Sequence, residues 1–365
     1  MKRKQIVTGI TAAAAMAVLI LDSRTALAGG QEGIGLCIRS LIPSLFPFFV
    51  LSGLITHAFT GTSLPILRPV GRIFRIPAGC ESLLIPAFLG GYPAGAQCVG
   101  QAYHQGNISR SCAQRLLLFC NNAGPAFLFG VLGPVFPSVG TLWALWGIQI
   151  GASLLCAWLI PGSEESGRMI PGGDFSLTDS LSASVRIMGN VCGWVILFRV
   201  LIAFLERWLL WLLPEEAQVA VSGILELSNG CCGLIGIPDL RMRFLICSGM
   251  LSFGGLCVAM QTASVSGGLS LLPYLGSKVV QSVFCLCVSA AFLYRIPMLF
   301  VFLAVFYLIL KKVVTSRVFM VYNDSINQRR NPYAVSKKNR PRLHVLSAQH
   351  QAGGGSDPLR QKGTA

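Results

Sequence analysis

Apolar stretches long enough to cross a bilayer recur through most of this chain, and they decide what it can fold into. A helix needs about 20 consecutive apolar residues to span the hydrocarbon core, and the run Leu36 to Phe59 meets that length. Comparable runs cover Ile6–Leu21, Leu116–Gly133, Thr141–Ile160, Met188–Leu213, Phe244–Thr262, Val279–Tyr294 and Pro297–Leu310. Composition agrees: 53% of residues are hydrophobic, 12% are charged and the mean hydropathy is +0.65, whereas a soluble domain carries about 25% charged residues. The expected fold is an all-α polytopic membrane protein with about eight transmembrane helices and two re-entrant hairpins.

Lys2-Arg3-Lys4, the apolar run after it and Ala26-Leu27-Ala28 match a cleavable signal peptide; the reading adopted is an uncleaved anchor, because Asp22, Ser23 and Arg24 end the run. The net charge of +15 sits mainly in residues 311–365, which contribute +9. Next to hydrophobic spans, such a tail reads as a cytoplasmic, positive-inside signal in contact with anionic lipid rather than as a nucleic-acid arm. Arg68, Arg72 and Arg75 place residues 60–79 on the cytoplasmic side, and Pro214-Glu215-Glu216 suits an external loop, so both termini are expected inside. The thirteen cysteines show no CxxC and no metal-ligand spacing, and read as small buried thiols. No cofactor is expected.

Two apolar segments are broken by glycine and proline: Ser82–Gln97, with Pro86, Gly90, Gly91, Pro93 and Gly95, and Ser222–Pro238. Backbone freed by such breaks cannot face lipid and is tolerated only where protein or a water-filled cavity surrounds it. Laid over each other, residues 36–160 and 187–294 show one order twice: a long span, a broken segment, a span interrupted by small polar residues, and a plain span. Asn121-Asn122-Ala123-Gly124 corresponds roughly to Ser252-Phe253-Gly254-Gly255, and Glu81 to Glu226. Three crossings per half make this an inverted repeat, and paired breaks in corresponding places point to a midplane transport site.

Intramembrane carboxylates are costly and mark functional candidates, which selects Glu81 and Glu226. Glu226 lies in Leu225-Glu-Leu-Ser-Asn-Gly230, so it and Asn229 can hold a hydroxyl, an amide, a proton or Na⁺; the alternative is a structural cap that also neutralises Arg199. Asn121 and Asn122 precede Ala-Gly-Pro, where Pro125 removes an amide donor and carbonyls are freed. They either hold a solute or tie neighbouring helices. Gly95 and Gln97 complete the candidate substrate-binding set. Arg115 is expected to snorkel to the interface and Arg199 to pair internally. GxxxxGK[ST], HExxH and GxSxG are absent, so no enzymatic activity is expected.

The blocks Pro43-Ser-Leu-Phe-Pro-Phe-Phe-Val-Leu-Ser-Gly53, Gly90-Gly-Tyr-Pro-Ala-Gly-Ala96, Phe119-Cys-Asn-Asn-Ala-Gly-Pro125 and Leu225-Glu-Leu-Ser-Asn-Gly230 resemble those of the YlbJ family of sporulation membrane proteins. That resemblance implies a nucleoside-recognition (Gate) fold, shared with spore maturation proteins, concentrative nucleoside transporters and the ferrous iron permease FeoB. It further implies the cell membrane of an endospore-forming bacterium and a role in the spore envelope, particularly its cortex. The expected activity is a permease for a nucleoside-like or other small polar solute, with a non-transporting scaffold as the alternative. Expected partners are membrane lipids, that solute and a second copy of the chain, with no nucleic acid. The expected division is an N-terminal anchor and linker over 1–35, a first repeat over 36–160, a polar connection over 161–186, a second repeat over 187–294, a final span over 295–310 and a basic disordered tail over 311–365.

Overall fold

A computed structural model describes residues 2–59, 64–77, 79–160 and 176–295. The span expected at Pro297–Leu310, the tail from Lys311 onward and residues 161–175 of the polar connection lie outside the described residues.

The first half begins with α1 (Lys2–Leu21) and α2 (Ser23–Leu36), which passes through a π-turn at Cys37–Leu41 into α3 (Ile42–Phe59). The linker expected before residue 36 is therefore helical; Asp22 caps α2 by accepting from the Thr25 amide at 3.3 Å. After α4 (Arg68–Ile73) comes the first broken segment: a 3₁₀ turn at Glu81–Leu83, a π-turn at Pro86–Gly90, an interruption at Gly91–Pro93, then α5 (Ala94–His104). Next, α6 (Arg110–Leu117) stops short of Asn121-Asn122, and α7 (Pro125–Phe127) restarts the chain and runs into a π-turn at Leu128–Leu132. The span expected over 116–133 is thus two pieces, because Pro125 has no amide to donate and Gly124 is extended at φ −90°, ψ 167°. Helix α8 (Val139–Leu159) closes this half.

The second half follows with its own sequence of helices. Helix α9 (Leu177–Trp208) is the long helix, and α10 (Glu215–Leu225) and α11 (Leu227–Gly233) flank an extended Glu226. Helices α12 (Leu240–Phe253) and α13 (Gly255–Val265) are interrupted at Gly254, whose φ of +83° is a left-handed conformation that suits glycine. Helix α14 (Leu271–Tyr294) is the plain one. Glu226 sits at the interruption between α10 and α11, whereas Glu81 lies at the start of its broken segment, before the interruption at Gly91–Pro93.

Helices α2 and α3 run antiparallel to α9. Asp22 pairs with Arg207 at 2.9 Å near one end, and the Ser180 hydroxyl donates to the Val50 carbonyl at 2.7 Å near the other. Between them, a Cβ on Gly29 would lie 2.9 Å from Ala203 Cβ, and one on Gly33 2.9 Å from Ile196 Cα. Small residues four apart let two membrane helices approach this closely.

Among the described residues, five helical stretches are long and apolar enough to cross a membrane: Ser23–Phe59, Val139–Leu159, Leu177–Trp208, Leu240–Val265 and Leu271–Tyr294. Leu197 and Leu201 on α9 remain 59% and 45% exposed, a surface that suits lipid rather than water. Inside, buried apolar residues form two large clusters, with Tyr92 and Ala123 in one and Ala96 and Cys120 in the other. The first-half breaks lie along the seam between them. All thirteen cysteines are free thiols, most of them buried.

Candidate functional site

The two interruptions of the first half pack backbone against backbone. A Cβ on Gly95 would collide with the Cys120 carbonyl, and one on Gly124 would lie 2.7 Å from the Leu89 carbonyl. Opening α6 after Leu117 frees carbonyls in a buried environment, and two of the freed oxygens, those of Leu118 and Phe119, have side-chain partners. Leu118 O accepts from Gln281 Nε2 at 2.8 Å and Ser277 Oγ at 3.0 Å. Phe119 O accepts from Asn122 Nδ2 and from Ser153 Oγ, both at 2.7 Å.

Asn122 is the hinge of this arrangement. Its amide nitrogen also donates to Ser153 Oγ at 3.1 Å, and its oxygen accepts from Lys278 Nζ at 3.1 Å. Lys278 donates to Gln281 Oε1 at 3.1 Å as well, and its ammonium lies 5.3 Å and 5.8 Å from the ring centroids of Tyr92 and Tyr274. Lys278 is fully buried and forms no ion pair among the described residues. On insertion scales a lysine at the centre of a membrane helix costs about 2.5–3.5 kcal/mol. Two amide oxygens and two ring faces offset part of that cost.

Asn121 points the other way, donating to Thr262 Oγ1 at 2.8 Å and to the Tyr274 hydroxyl at 3.0 Å. The asparagine pair therefore ties the first-half break to α8, α13 and α14. Gln149 extends the network: its Nε2 and the Tyr92 hydroxyl both donate to the Leu251 carbonyl, at 3.1 Å and 3.2 Å, where α12 ends. Asn121 Oδ1, Gln149 Oε1, Ser252 Oγ and Gln97 Oε1 are buried without a hydrogen-bond partner among the described residues.

Glu226 stands apart from this network. It caps α11, accepting from Ser228 N at 3.1 Å, Asn229 N at 2.8 Å and Asn229 Nδ2 at 2.7 Å. No hydrogen bond joins it to Asn121 or Asn122, and Arg199 is not its partner: that guanidinium pairs with Glu32 and with Glu206. Glu81 is buried and accepts from Gly79 N at 2.7 Å. Arg115, expected to snorkel, is buried because the carbonyls of Phe74 and Ala157 take its protons at 2.6 Å and 3.1 Å. Of the expected set, Gly95, Asn121 and Asn122 meet at one break and Glu226 and Asn229 at the other, while Glu81 lies at neither.

Sequence reading missed Lys278, Tyr92, Tyr274, Gln149 and Gln281. One signal was available: Lys278 is the only lysine between residues 5 and 310. It stands one residue before the apolar run that begins at Val279.

Apolar helices interrupted around a buried polar network, with leucines turned outward, define an all-helical integral membrane protein. The chain is similar to the sporulation integral membrane protein YlbJ of Bacillus subtilis (strain 168), 26% identical over an alignment of 321 residues that covers 73% of this chain and 78% of that protein. It is thus a YlbJ-like membrane protein. No family model and no solved structure matches it.

Proposed function

We propose that this chain acts in sporulation as a multi-pass permease of the cell membrane, with both termini in the cytoplasm, moving a small polar solute needed for the spore envelope and its cortex. Its two halves, 36–160 and 187–294, act as an inverted repeat, and the solute binds between their broken segments. The observation that carries this reading is the set of buried acceptors without partners at the first-half break, Asn121 Oδ1 and Gln149 Oε1. A buried acceptor left unpaired costs about 1–3 kcal/mol. A solute rich in N–H and O–H donors, such as a nucleoside, would satisfy them, with Lys278 answering its carbonyl oxygens. Glu226 and Asn229 serve the second break, and Gly95 and Gln97 the wall of the first.

The test is uptake of radiolabelled uridine and adenosine into proteoliposomes holding the purified chain. Saturable uptake that falls about tenfold or more in Asn121→Ala and Gln149→Leu is expected, the loss of one or two buried hydrogen bonds. A scaffold role is supported by how fully Asn122, Ser153 and Gln281 close around the break. That reading prevails if no solute moves while membranes lacking the protein still fail to assemble the cortex.

A further inference from the structure

Away from the closed network lies a cavity of about 540 Å³, walled by α2 and its π-turn, the end of α9, α10 and α11. That volume falls within the range of small-molecule sites, about 300–1,000 Å³. Five charged side chains line it: Glu32, Glu206 and Glu215 against Arg39 and Arg199. Arg199 is already engaged by Glu32 and Glu206. Arg39 and Glu215 are different, because neither has a hydrogen-bond or ion-pair partner among the described residues. The cavity thus keeps one guanidinium and one carboxylate that are exposed and have no protein partner among the described residues.

Both positions are shaped by backbone. Arg39 belongs to the π-turn Cys37–Leu41, a geometry that recurs at functional sites. Its guanidinium folds back over Gly35, where a Cβ would lie 2.6 Å from Nη2. Glu215 opens α10, and its carboxylate lies against Gly236, where a Cβ would collide with it. At the same end of α9, Trp208 and Trp211 are 53% and 65% exposed, and Leu209 and Leu212 are 52% and 59% exposed. Tryptophan beside exposed leucine marks the boundary between hydrocarbon and headgroups.

We propose that this cavity binds a zwitterionic phosphoamine, with its phosphoryl group on Arg39 and its ammonium on Glu215. A planar guanidinium takes phosphate in a two-point contact. A pure anion would meet three carboxylates, and a pure cation would leave Arg39 unanswered. Two sources share this chemistry, the headgroup of an ethanolamine lipid and a free phosphoamine. Binding does not depend on whether the chain transports anything; only the free-solute source rests on the permease reading.

The test uses the purified full chain in detergent, with thermal stability and native mass spectrometry as readouts. The probes are dioleoylphosphatidylethanolamine, dioleoylphosphatidylglycerol and free phosphoethanolamine. The ethanolamine lipid is expected to stabilise and stay bound where the glycerol lipid does not. Arg39→Gln and Glu215→Gln should each weaken it by about tenfold or more. Neither residue has a partner to lose, so both variants should keep wild-type stability without lipid. Binding of free phosphoethanolamine that displaces the lipid identifies a soluble ligand, and binding of the lipid alone identifies a headgroup site. Free phosphoethanolamine that binds but is not taken up by proteoliposomes leaves the cavity assignment standing while failing the permease reading for that solute. Equal binding of the two lipids, or full retention in both variants, overturns the proposal.

Discussion

The Lys278 ammonium lies 3.1 Å from the carboxamide oxygen of Asn122, and both side chains are fully buried. A cation on the last described helix thereby fastens the broken helix of the first half, 156 residues away in sequence. Losing it has two opposed effects. The chain no longer bears the cost of a charge in a membrane interior, about 2.5–3.5 kcal/mol. Asn122 Oδ1 and Gln281 Oε1 lose a donor, at about 1–3 kcal/mol each.

Lys278→Met should therefore change thermal stability little while abolishing function. Complementation of a deletion strain, scored as heat-resistant spores per molecule of membrane protein, checks this. A fully active Lys278→Met protein would mean that the cation only fills space.

Replacing Asn122 with alanine removes a donor to the Phe119 carbonyl and an acceptor from Lys278. A stability loss of about 1–3 kcal/mol is expected, with hydrogen exchange rising first at residues 118–124 and little along α9. Exchange rising uniformly across the chain would show that the break is no separate unit.

Glu226→Gln keeps the shape of the α11 cap but offers one acceptor oxygen where the carboxylate has two. Glu226→Ala removes the cap altogether and should cost about 0.5–2 kcal/mol. If Glu226 serves the solute, the glutamine variant loses spore maturation while persisting in the membrane. Reduced abundance with unchanged activity per molecule would make the residue purely a cap.

Gly95→Ala should prevent accumulation, because its methyl group would be driven into the Cys120 carbonyl, which is backbone and cannot turn aside. Gly193→Ala on α9 meets nothing within 4 Å and should be neutral or stabilising by up to about 1 kcal/mol. Membrane yield and gel-filtration profile separate the two outcomes. Equal yields would refute the tight packing at Gly95.

Cysteines introduced at the exposed Gln105 and Glu216, in a background with the exposed Cys232 replaced, should label from opposite faces of the membrane. Labelling of both from one face would end the inverted-repeat reading.

The breaks were legible because glycine and proline write their effect locally. Pro125 after Asn121-Asn122 announces a lost amide wherever the chain goes next. The partners of those breaks were not, because Thr262, Tyr274 and Lys278 arrive from more than 140 residues away. Glu226 shows both sides. Its place at an interruption could be read from Leu225-Glu-Leu-Ser-Asn, but the freedom of Arg199 to choose Glu32 and Glu206 instead depended on how α2 meets α9. Glu81 looked equivalent to Glu226 because the one opens and the other occupies a broken stretch, yet the interruption after Glu81 comes ten residues later, at Gly91.

The antiparallel union of α2 with α9 also has a history in time. A ribosome delivers Glu32 long before Arg199, which follows 167 positions later in the chain. At about 5–20 residues per second, that carboxylate waits roughly 10–30 s for its counter-charge, and the Gly29–Gly33 face stays uncovered as long. During nascent-chain insertion the first long helix is thus an unfinished half-joint. A synthesis pause before α9 emerges should expose it to membrane quality-control proteases, while a pause after α9 should leave it protected.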